Sequence, residues 1–182
     1  MSKIAVIGGG IIGVATAYEL AKLGEDVILF EKNYFGSGST FRCATGGIRA
    51  QFTDGGANIR LMKYSVERWE RLEEELESEI GFRQTGYLFL ATSEEEVEAF
   101  RANVRLQNRF GVPTRLIDMA EAKEIVPPIL NTEPFLAGAW NPKDGKANPF
   151  KTLFAYLRKA REMGVDAREH TPPVIGLERE GG

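Results

Sequence analysis

The first 32 residues of the chain constrain its fold more than any other segment. A short apolar run over residues 3–7 is typical of a buried parallel strand, and a glycine-rich turn, residues 8–13, follows it at once. A helical pattern then extends to residue 23, and a second apolar run, residues 27–30, ends at Glu31. This order of strand, turn, helix and strand predicts a βαβ unit with two parallel strands.

The glycines of the turn have the spacing of a dinucleotide-binding fingerprint. Gly8 permits a tight turn, Gly10 lets a diphosphate approach the backbone, and Gly13 brings the helix close to the strand. Phosphates would then bind to the free N–H groups at the helix N-terminus. Glu31, about 20 residues further on, is placed to accept hydrogen bonds from a ribose. The alternative is a turn that only packs helix on strand, and it leaves the position of Glu31 unexplained.

Composition excludes several other classes of protein. Of the 182 residues, 43% are hydrophobic, and the net charge of −3 is spread along the chain, so we expect no nucleic-acid partner. Cys43 is the only cysteine and His170 the only histidine, which argues against a disulfide framework and a metal site. The apolar start resembles a signal peptide, but fingerprint glycines interrupt it. We therefore expect a cytoplasmic protein without a membrane span.

The segment after Glu31 is unusual for a nicotinamide-type Rossmann domain. Residues 33–52 contain four glycines, four serine or threonine residues and two arginines, where a second helix and a third strand would be expected. Backbone N–H groups and hydroxyls at this density predict a second approach to an extended, phosphorylated cofactor. A flexible surface loop is the alternative.

The rest of the chain alternates helices and strands. Apolar steps of three and four predict a long amphipathic helix over residues 57–80, and Ser93 with Glu96 forms a capping box. The other predicted elements are strands over residues 84–92, 114–117, 135–140, 165–167 and 174–177, a helix ending near Gly111, a short helix from Asp118 to Pro127, and a helix from Pro149 to Gly164 with Asn148 as its N-cap.

Several of these motifs together resemble a known family. The fingerprint, the Glu31-Lys32 pair and the segment 36–49 resemble the FAD-dependent amine oxidoreductases of the D-amino-acid oxidase and glycine oxidase superfamily. Within it, the sequence is most similar to the β subunit of sarcosine oxidase and to dye-linked L-proline dehydrogenase. The resemblance covers the N-terminal half of such proteins, and it implies a missing C-terminal half or a partner subunit, in a hetero- or homo-oligomer.

The resemblance implies an α/β fold in which a Rossmann-like FAD/NAD(P)-binding domain carries an inserted α+β portion. The FAD-binding domain would comprise residues 1–55 and a return segment, residues 148–182, and residues 56–147 would belong to a substrate-binding domain. The residues that it assigns to FAD are Gly8, Gly10, Ile11, Ile12, Gly13, Glu31, Lys32, Ser39, Thr40, Gly46, Gly47, Ile48 and Val174.

The implied reaction is the oxidation of an amino acid or N-methyl amine by hydride transfer to the flavin. Arg49 would pair with the substrate carboxylate, with Gln51 beside it, although a structural or surface role for Arg49 is an equal alternative. Tyr87 would line the substrate pocket or belong to the core. His170 would carry a covalent flavin or be an ordinary strand residue.

Two other functions stay open from the sequence. An NAD-linked Rossmann dehydrogenase would use the same fingerprint with a nicotinamide cofactor. A non-catalytic piece would bind a partner chain that carries the missing half of the site.

Overall fold

A computed structural model of the chain describes residues 3–38, 43–126, 131–176 and 178. Its contacts divide the chain into two compact units. The first unit comprises Met1–Thr45, Leu76–Ile80 and Asn148–Gly182, and the second comprises Gly46–Glu75 and Gly81–Ala147.

The described elements alternate between helix and strand. The helices are α1 (Ile11–Lys22), α2 (Ala57–Glu75), α3 (Glu94–Arg109), α4 (Met119–Ile125) and α5 (Pro149–Glu162). The strands are β1 (Ile4–Ile7), β2 (Val27–Phe30), β3 (Gly47–Ile48), β4 (Tyr87–Ala91), β5 (Arg115–Ile117), β6 (Ala137–Asn141), β7 (Gly145–Lys146) and β8 (Asp166–Arg168). No described helix combines the length and the hydrophobicity of a bilayer-spanning segment.

The first unit contains a parallel sheet with the strand order β1-β2-β8. Ile4 pairs with Val27, and Ile28 pairs with Asp166. Helices α1 and α5 pack on each other, and the rings of Tyr18 and Tyr156 meet edge to face with centroids 5.3 Å apart. The predicted βαβ unit is therefore present, with β8 from the far end of the chain added beside it.

The second unit contains an antiparallel sheet with the order β4-β6-β5, and a short antiparallel pair, β3 with β7. Helix α3 packs on all three strands of the sheet. Its predicted capping box is confirmed: the Ser93 hydroxyl accepts from the Glu96 N–H at 3.2 Å, and the Glu96 carboxylate accepts from the Ser93 N–H at 3.3 Å. A separate apolar cluster contains Ile48, Ala50, Ile59, Val66, Val112 and Ala147.

The strand predicted over residues 84–92 is shorter, Tyr87–Ala91, and two other predictions differ more from the structure. The helix predicted over residues 57–80 ends at Glu75, and Glu77 has a left-handed φ of 47°. Leu76 and Ile80 continue the apolar period and are buried, which explains the error. The strand predicted over residues 174–177 is absent over residues 174–176, and Leu177 lies outside the described residues.

Candidate functional site

The glycine turn of the first unit adopts a conformation that requires glycine. Gly8 has a φ of 107°, a left-handed value that L side chains rarely adopt, and its N–H donates to the Phe30 carbonyl at 2.8 Å. A Cβ atom on Gly13 would overlap the Gly8 carbonyl oxygen. Gly13 therefore allows α1 to begin directly against the turn.

The N-terminus of α1 is open above Gly10. Gly10 is the N-cap residue, no side chain caps the helix, and the first turn contains no acidic residue. A Cβ atom at Gly8 or Gly10 would meet nothing within 4 Å. The first N–H groups of an α-helix have no partner within the helix, and its dipole favours an anion at this end. This position therefore fits a diphosphate that approaches the backbone.

Glu31 holds the turn in place. Its Oε2 accepts from the Gly9 N–H at 2.7 Å, and its Oε1 accepts from the Asn33 N–H at 2.8 Å. A carboxylate has about four lone-pair positions, so these two bonds leave capacity for the hydroxyls of a ribose. Sequence spacing identified Glu31 as a ribose ligand, and that role stays a prediction.

Residues from the distant return segment also support the turn, and sequence spacing did not indicate them. Thr171 donates to the Glu31 carbonyl through its backbone N–H at 3.0 Å and its hydroxyl at 2.9 Å. The Glu169 carboxylate accepts from the Phe35 N–H at 2.9 Å. The buried Phe35 ring fills the space that a Cβ atom on Gly9 would need. The contacts of Thr171 and Glu169 join residues more than 130 positions apart, so no local pattern could have revealed them.

The other residues predicted for FAD lie as follows. Ser39 and Thr40 lie outside the described residues. Lys32, Ile12 and Val174 are exposed, and Ile11 is half-buried. Gly46, with a φ of 79°, precedes β3, in which Ile48 is buried and Gly47 pairs with Lys146. Their contacts with a flavin stay predictions.

The backbone N–H of His170 is hydrogen-bonded, and its side chain is exposed. Its φ of 53° is left-handed, its N–H donates to the Asn33 carbonyl at 3.1 Å, and its ring meets that of Tyr34 edge to face at 4.3 Å. A covalent flavin on His170 stays one of two alternatives, beside an ordinary structural role.

Arg49 of the second unit lies among aromatic rings. Its guanidinium carbon is 4.8 Å from the ring centroid of Phe52, 5.2 Å from that of Phe89 and 5.5 Å from that of Tyr87. Arg49 and Gln51 both line a cavity of about 270 Å³. Stacking on rings holds the guanidinium while its N–H groups stay available for a carboxylate. The structure thus brings together the two residues predicted to be catalytic.

A buried carboxyl group anchors the segment that carries Arg49 and Gln51. The Asp144 side chain is fully buried, and its Oδ1 accepts from the Ala50 N–H at 2.8 Å and from the Asn141 side-chain amide at 2.7 Å. Burial raises the pKa of Asp144 from 3.8 to about 6, although the Ala50 N–H and the charge of Arg49 act to lower it. Sequence spacing did not indicate Asp144 as part of the site. The available signal was the Asp144-Gly145 pair, because this dipeptide is typical of a tight turn. The structure requires glycine at position 145, where a Cβ atom would overlap the Arg83 carbonyl oxygen.

The first unit has a glycine turn between the parallel strands β1 and β2, and Glu31 after β2 accepts a hydrogen bond from that turn. This arrangement defines a nucleotide-binding βαβ structure of the Rossmann type. A family model described as FAD dependent oxidoreductase matches residues 3–182. The chain therefore belongs to the FAD-dependent oxidoreductase family, and the resemblance, the fold class and the flavin cofactor predicted from the sequence are confirmed.

Relatives with described activities match nearly the whole chain. Mitochondrial dimethylglycine dehydrogenase of Rattus norvegicus is 36% identical over 178 residues, which are 97% of this chain and 20% of that protein. The sarcosine oxidase β subunit of Rhodobacter capsulatus is 34% identical over 186 residues, covering 98% of this chain and 44% of the subunit. The chain therefore spans less than half the length of these relatives.

A solved structure shares the fold at high sequence identity. The crystal structure of L-proline dehydrogenase from P. horikoshii matches with a TM-score of 0.86 and 54% identity, over 93% of this chain and 44% of that one. Glycine oxidase from Geobacillus kaustophilus matches with a TM-score of 0.82 and 29% identity, over 93% of this chain and 47% of that one.

Proposed function

We propose that the chain is part of a flavoenzyme that oxidises the C–N bond of a small amino acid or N-methyl amine of the sarcosine, proline or glycine type. The observation that carries the proposal is the open N-terminus of α1, where Gly10 leaves the backbone accessible and no side chain caps the helix. The activities for which the relatives are named support the substrate class.

The residues of the first unit would bind the nucleotide end of FAD. N–H groups at the start of α1 would hold the diphosphate, and Glu31 would fix the turn and accept the ribose hydroxyls. When bound, FAD accepts a hydride from the carbon that is attached to the amine nitrogen. We also propose that residues 1–55 and 148–182 form the FAD-binding part and residues 56–147 most of the substrate-binding part, to which Arg49 and Gln51 of the second unit contribute.

The residues of the second unit would bind the substrate. Arg49 presents a planar fork of N–H donors, which matches a carboxylate in a bidentate pair. The rings of Phe52 and Phe89 limit the orientations of that fork, and the Asp144 carboxyl fixes the backbone between Arg49 and Gln51. These residues would orient the substrate and exclude water, and the protein would leave the redox step to the flavin.

We propose that a further polypeptide segment or a partner subunit completes the flavin site. Parallel sheets are ordinarily covered on both faces, yet Ala5 and Ile7 of β1 are exposed, Ile7 by 58%. The sarcosine oxidase β subunit is by its name one part of a larger assembly, which supports the same proposal. The cytoplasmic location stays a prediction.

The test is the absorbance of the purified chain, alone and with a C-terminal segment from a complete relative. Flavin absorbs at about 450 nm, whereas a nicotinamide cofactor does not. We expect the chain to gain flavin absorbance and amine-dependent reduction of a dye when the segment is added. Binding of NAD without any flavin would favour the nicotinamide alternative, and flavin without turnover in the completed protein would contradict the proposed activity.

A further inference from the structure

Asp144 is joined by hydrogen bonds to two segments that surround the Arg49 side chain. Its Oδ1 accepts at 2.8 Å from the Ala50 N–H, which belongs to the peptide between Arg49 and Ala50. Its backbone carbonyl accepts at 2.8 Å from the N–H of Gly86, the residue before β4. One buried residue therefore holds both the segment that carries Arg49 and the start of a neighbouring strand.

The first of these links extends to the ring of Phe52. The Ala50 carbonyl accepts from the Phe52 N–H at 2.9 Å, so both polar groups of the Ala50 backbone are engaged. The Phe52 ring centroid lies 4.8 Å from the guanidinium carbon of Arg49. The hydrogen bond from Ala50 to Asp144 therefore helps to determine where this ring and the guanidinium meet.

The second link extends through Gly86 to two more rings. The backbone at Gly86 is restricted, because its φ is 74° and a Cβ atom there would overlap the Trp140 ring. Tyr87 and Phe89 follow on one face of β4, with ring centroids 5.0 Å apart. These centroids lie 5.5 Å and 5.2 Å from the guanidinium carbon of Arg49. All three rings around this guanidinium are thus connected to Asp144 through the backbone.

The turn that carries Asp144 is itself rigid. The Asn141 side chain donates to the Asp144 carboxyl at 2.7 Å and accepts from the Lys143 N–H at 3.1 Å. Asp144 is 0% exposed, and burial of an ionisable group is costly unless its hydrogen bonds compensate. Buried ionisable groups of this kind are concentrated at functional sites. The carboxyl group at position 144 therefore indicates a role in the site beside it.

We propose that Asp144 is the positioning residue of Arg49: by holding the Ala50 N–H and the Gly86 N–H it places the three rings that orient the guanidinium. This inference rests on the proposed function, in which Arg49 pairs with the substrate carboxylate, and it adds the residue that sets the direction of that pair. A bidentate pair requires a fixed fork, so its strength depends on this orientation.

The first test measures the orientation of Arg49 in the 182-residue chain by nuclear magnetic resonance. Aromatic rings shift the side-chain signals of a stacked arginine, and Asp144→Ala should remove this shift from Arg49. Arg60 is the internal control, because its guanidinium carbon is 5.4 Å from the ring centroid of Phe110 and the hydrogen bonds of Asp144 include neither residue. Its signals should keep their shift in Asp144→Ala.

Asp118→Ala is the matched control variant. The Asp118 Oδ1 also accepts from a backbone N–H at 2.8 Å, that of Glu121, and it lies in the same unit. Its loss removes a comparable hydrogen bond from another place in the fold. The signals of Arg49 should therefore stay unchanged in Asp118→Ala, which separates positioning from a general loss of stability.

The second test is the pH dependence of the same signals. Burial raises the pKa of Asp144 to about 6, so its carboxyl group ionises as the pH rises through this value. A charged acceptor forms the stronger hydrogen bond, so the Ala50 N–H proton should move downfield with a midpoint at about pH 6. The Arg49 signals should follow with the same midpoint. Asp144→Asn keeps an acceptor and does not titrate, so it should retain the ring shift and lose the pH step.

Other charged groups on the elements beside Asp144 do not titrate in this range. They are Arg49, Arg83, Lys143, Lys146 and Glu70. The four cations stay charged between about pH 5 and about pH 7. Hydrogen bonds from Gln84 and Lys143 lower the pKa of Glu70 below its ordinary value. A step at about pH 6 in the Ala50 and Arg49 signals therefore reports Asp144.

The third test connects the orientation of Arg49 with binding. Calorimetric titration with L-proline should give at least about tenfold lower affinity for Asp144→Ala than for wild type, because a hydrogen bond to a charged group is lost when the fork turns away. Asp144→Asn should bind as wild type does. If wild type binds no proline while the Arg49 signals respond as expected, the carboxylate role of Arg49 is contradicted and its positioning by Asp144 is supported.

Two results would overturn the inference. One is a ring shift of Arg49 that persists in folded Asp144→Ala, and the other is a pH step of equal size in wild type and Asp144→Asn. If Asp144→Ala fails to fold by circular dichroism, the comparison of wild type with Asp144→Asn decides. Wild-type Arg49 signals without a step at about pH 6 would then overturn the inference as well.

Discussion

The glycine turn of the first unit and the cavity of the second recognise their proposed ligands by opposite means. The turn offers backbone N–H groups at the start of α1, and its specificity comes from the absence of side chains at Gly8, Gly10 and Gly13. The cavity offers side chains, among them the half-buried Arg49 and the buried Gln51. The turn leaves its backbone accessible, whereas the cavity is lined by side chains.

The two kinds of site tolerate substitution at different positions. A backbone site depends on close approach, so that a single added methyl group is enough to destroy it. A side-chain site depends on orientation, and orientation is set by atoms outside the cavity, such as the Asp144 carboxyl that holds the Ala50 N–H. Substitutions in the turn should therefore change ligand affinity directly, whereas substitutions around the cavity should first change the stability of the fold.

The largest effect should come from Gly13→Ala. Its new Cβ atom would overlap the Gly8 carbonyl oxygen, so α1 must move away from the turn. We expect a loss of at least about 3 kcal/mol in the free energy of unfolding, the upper part of the range for overpacking, and no measurable affinity for ADP. Thermal unfolding followed by circular dichroism and titration with ADP measure the two effects.

Gly10→Ala is the matched control for Gly13→Ala. A Cβ atom on Gly10 meets nothing within 4 Å, and its φ of −76° suits any residue. The variant should lose less than about 1 kcal/mol of stability, the cost of a weaker N-cap, yet lose ADP affinity because the methyl group blocks the diphosphate. Unchanged ADP affinity in Gly10→Ala would contradict the proposed position of the diphosphate.

The same contrast explains what the sequence could predict. Gly8, Gly13 and Glu31 were identified because a backbone site leaves its constraints at fixed spacings along one short segment. Asp144 and Gln107 were not. The cavity collects residues from β4, α3, β6 and the segment after β3, and Asp144 holds that segment from a distant turn, so their proximity depends on the fold. Arg49 and Gln51 were predicted only through the family resemblance. The end of α2 was missed because Leu76 and Ile80 keep the helical period after the helix has ended.

Asp144 should make the stability of the chain depend on pH. Its pKa is raised from 3.8 to about 6 in the folded state, so the folded state retains a proton that the unfolded state has already released. The resulting stabilisation is complete below the lower value and is lost as the pH rises through about 6. One pKa unit corresponds to about 1.4 kcal/mol, so the change is about 3 kcal/mol between about pH 3.8 and about pH 6.

Denaturant unfolding across this pH range measures the effect, and Asp144→Asn should remove it. Asparagine keeps an oxygen that can accept from the Ala50 N–H and the Asn141 amide, and it does not titrate. Asp26→Asn is the control, because Asp26 is an exposed partner of Lys3 and should leave the pH dependence of wild type intact. The same pH dependence in wild type and Asp144→Asn would assign it to another group.

Glu31→Ala tests whether the acid that follows β2 stabilises the glycine turn. The variant leaves the N–H groups of Gly9 and Asn33 without their acceptor, and we expect a loss of about 1–3 kcal/mol in unfolding free energy. Weaker ADP binding should accompany it because the turn loses its position. Glu31→Gln keeps one amide oxygen and should recover part of the stability. An Ala variant as stable as wild type would show that these hydrogen bonds make no net contribution.

The smallest effect should come from Thr171→Val, which tests the support that the return segment gives to the turn. The substitution keeps the shape of the side chain and the backbone N–H that donates to the Glu31 carbonyl, and it removes only the hydroxyl that donates to the same oxygen. We expect a loss of about 0.5–1.5 kcal/mol, which is typical of one hydrogen bond. Adding Thr171→Val to Glu31→Ala should then cost less than in wild type, because neighbouring groups that support one turn are coupled. Fully additive losses in this double-mutant cycle would show that the return segment stabilises the first unit independently of the turn.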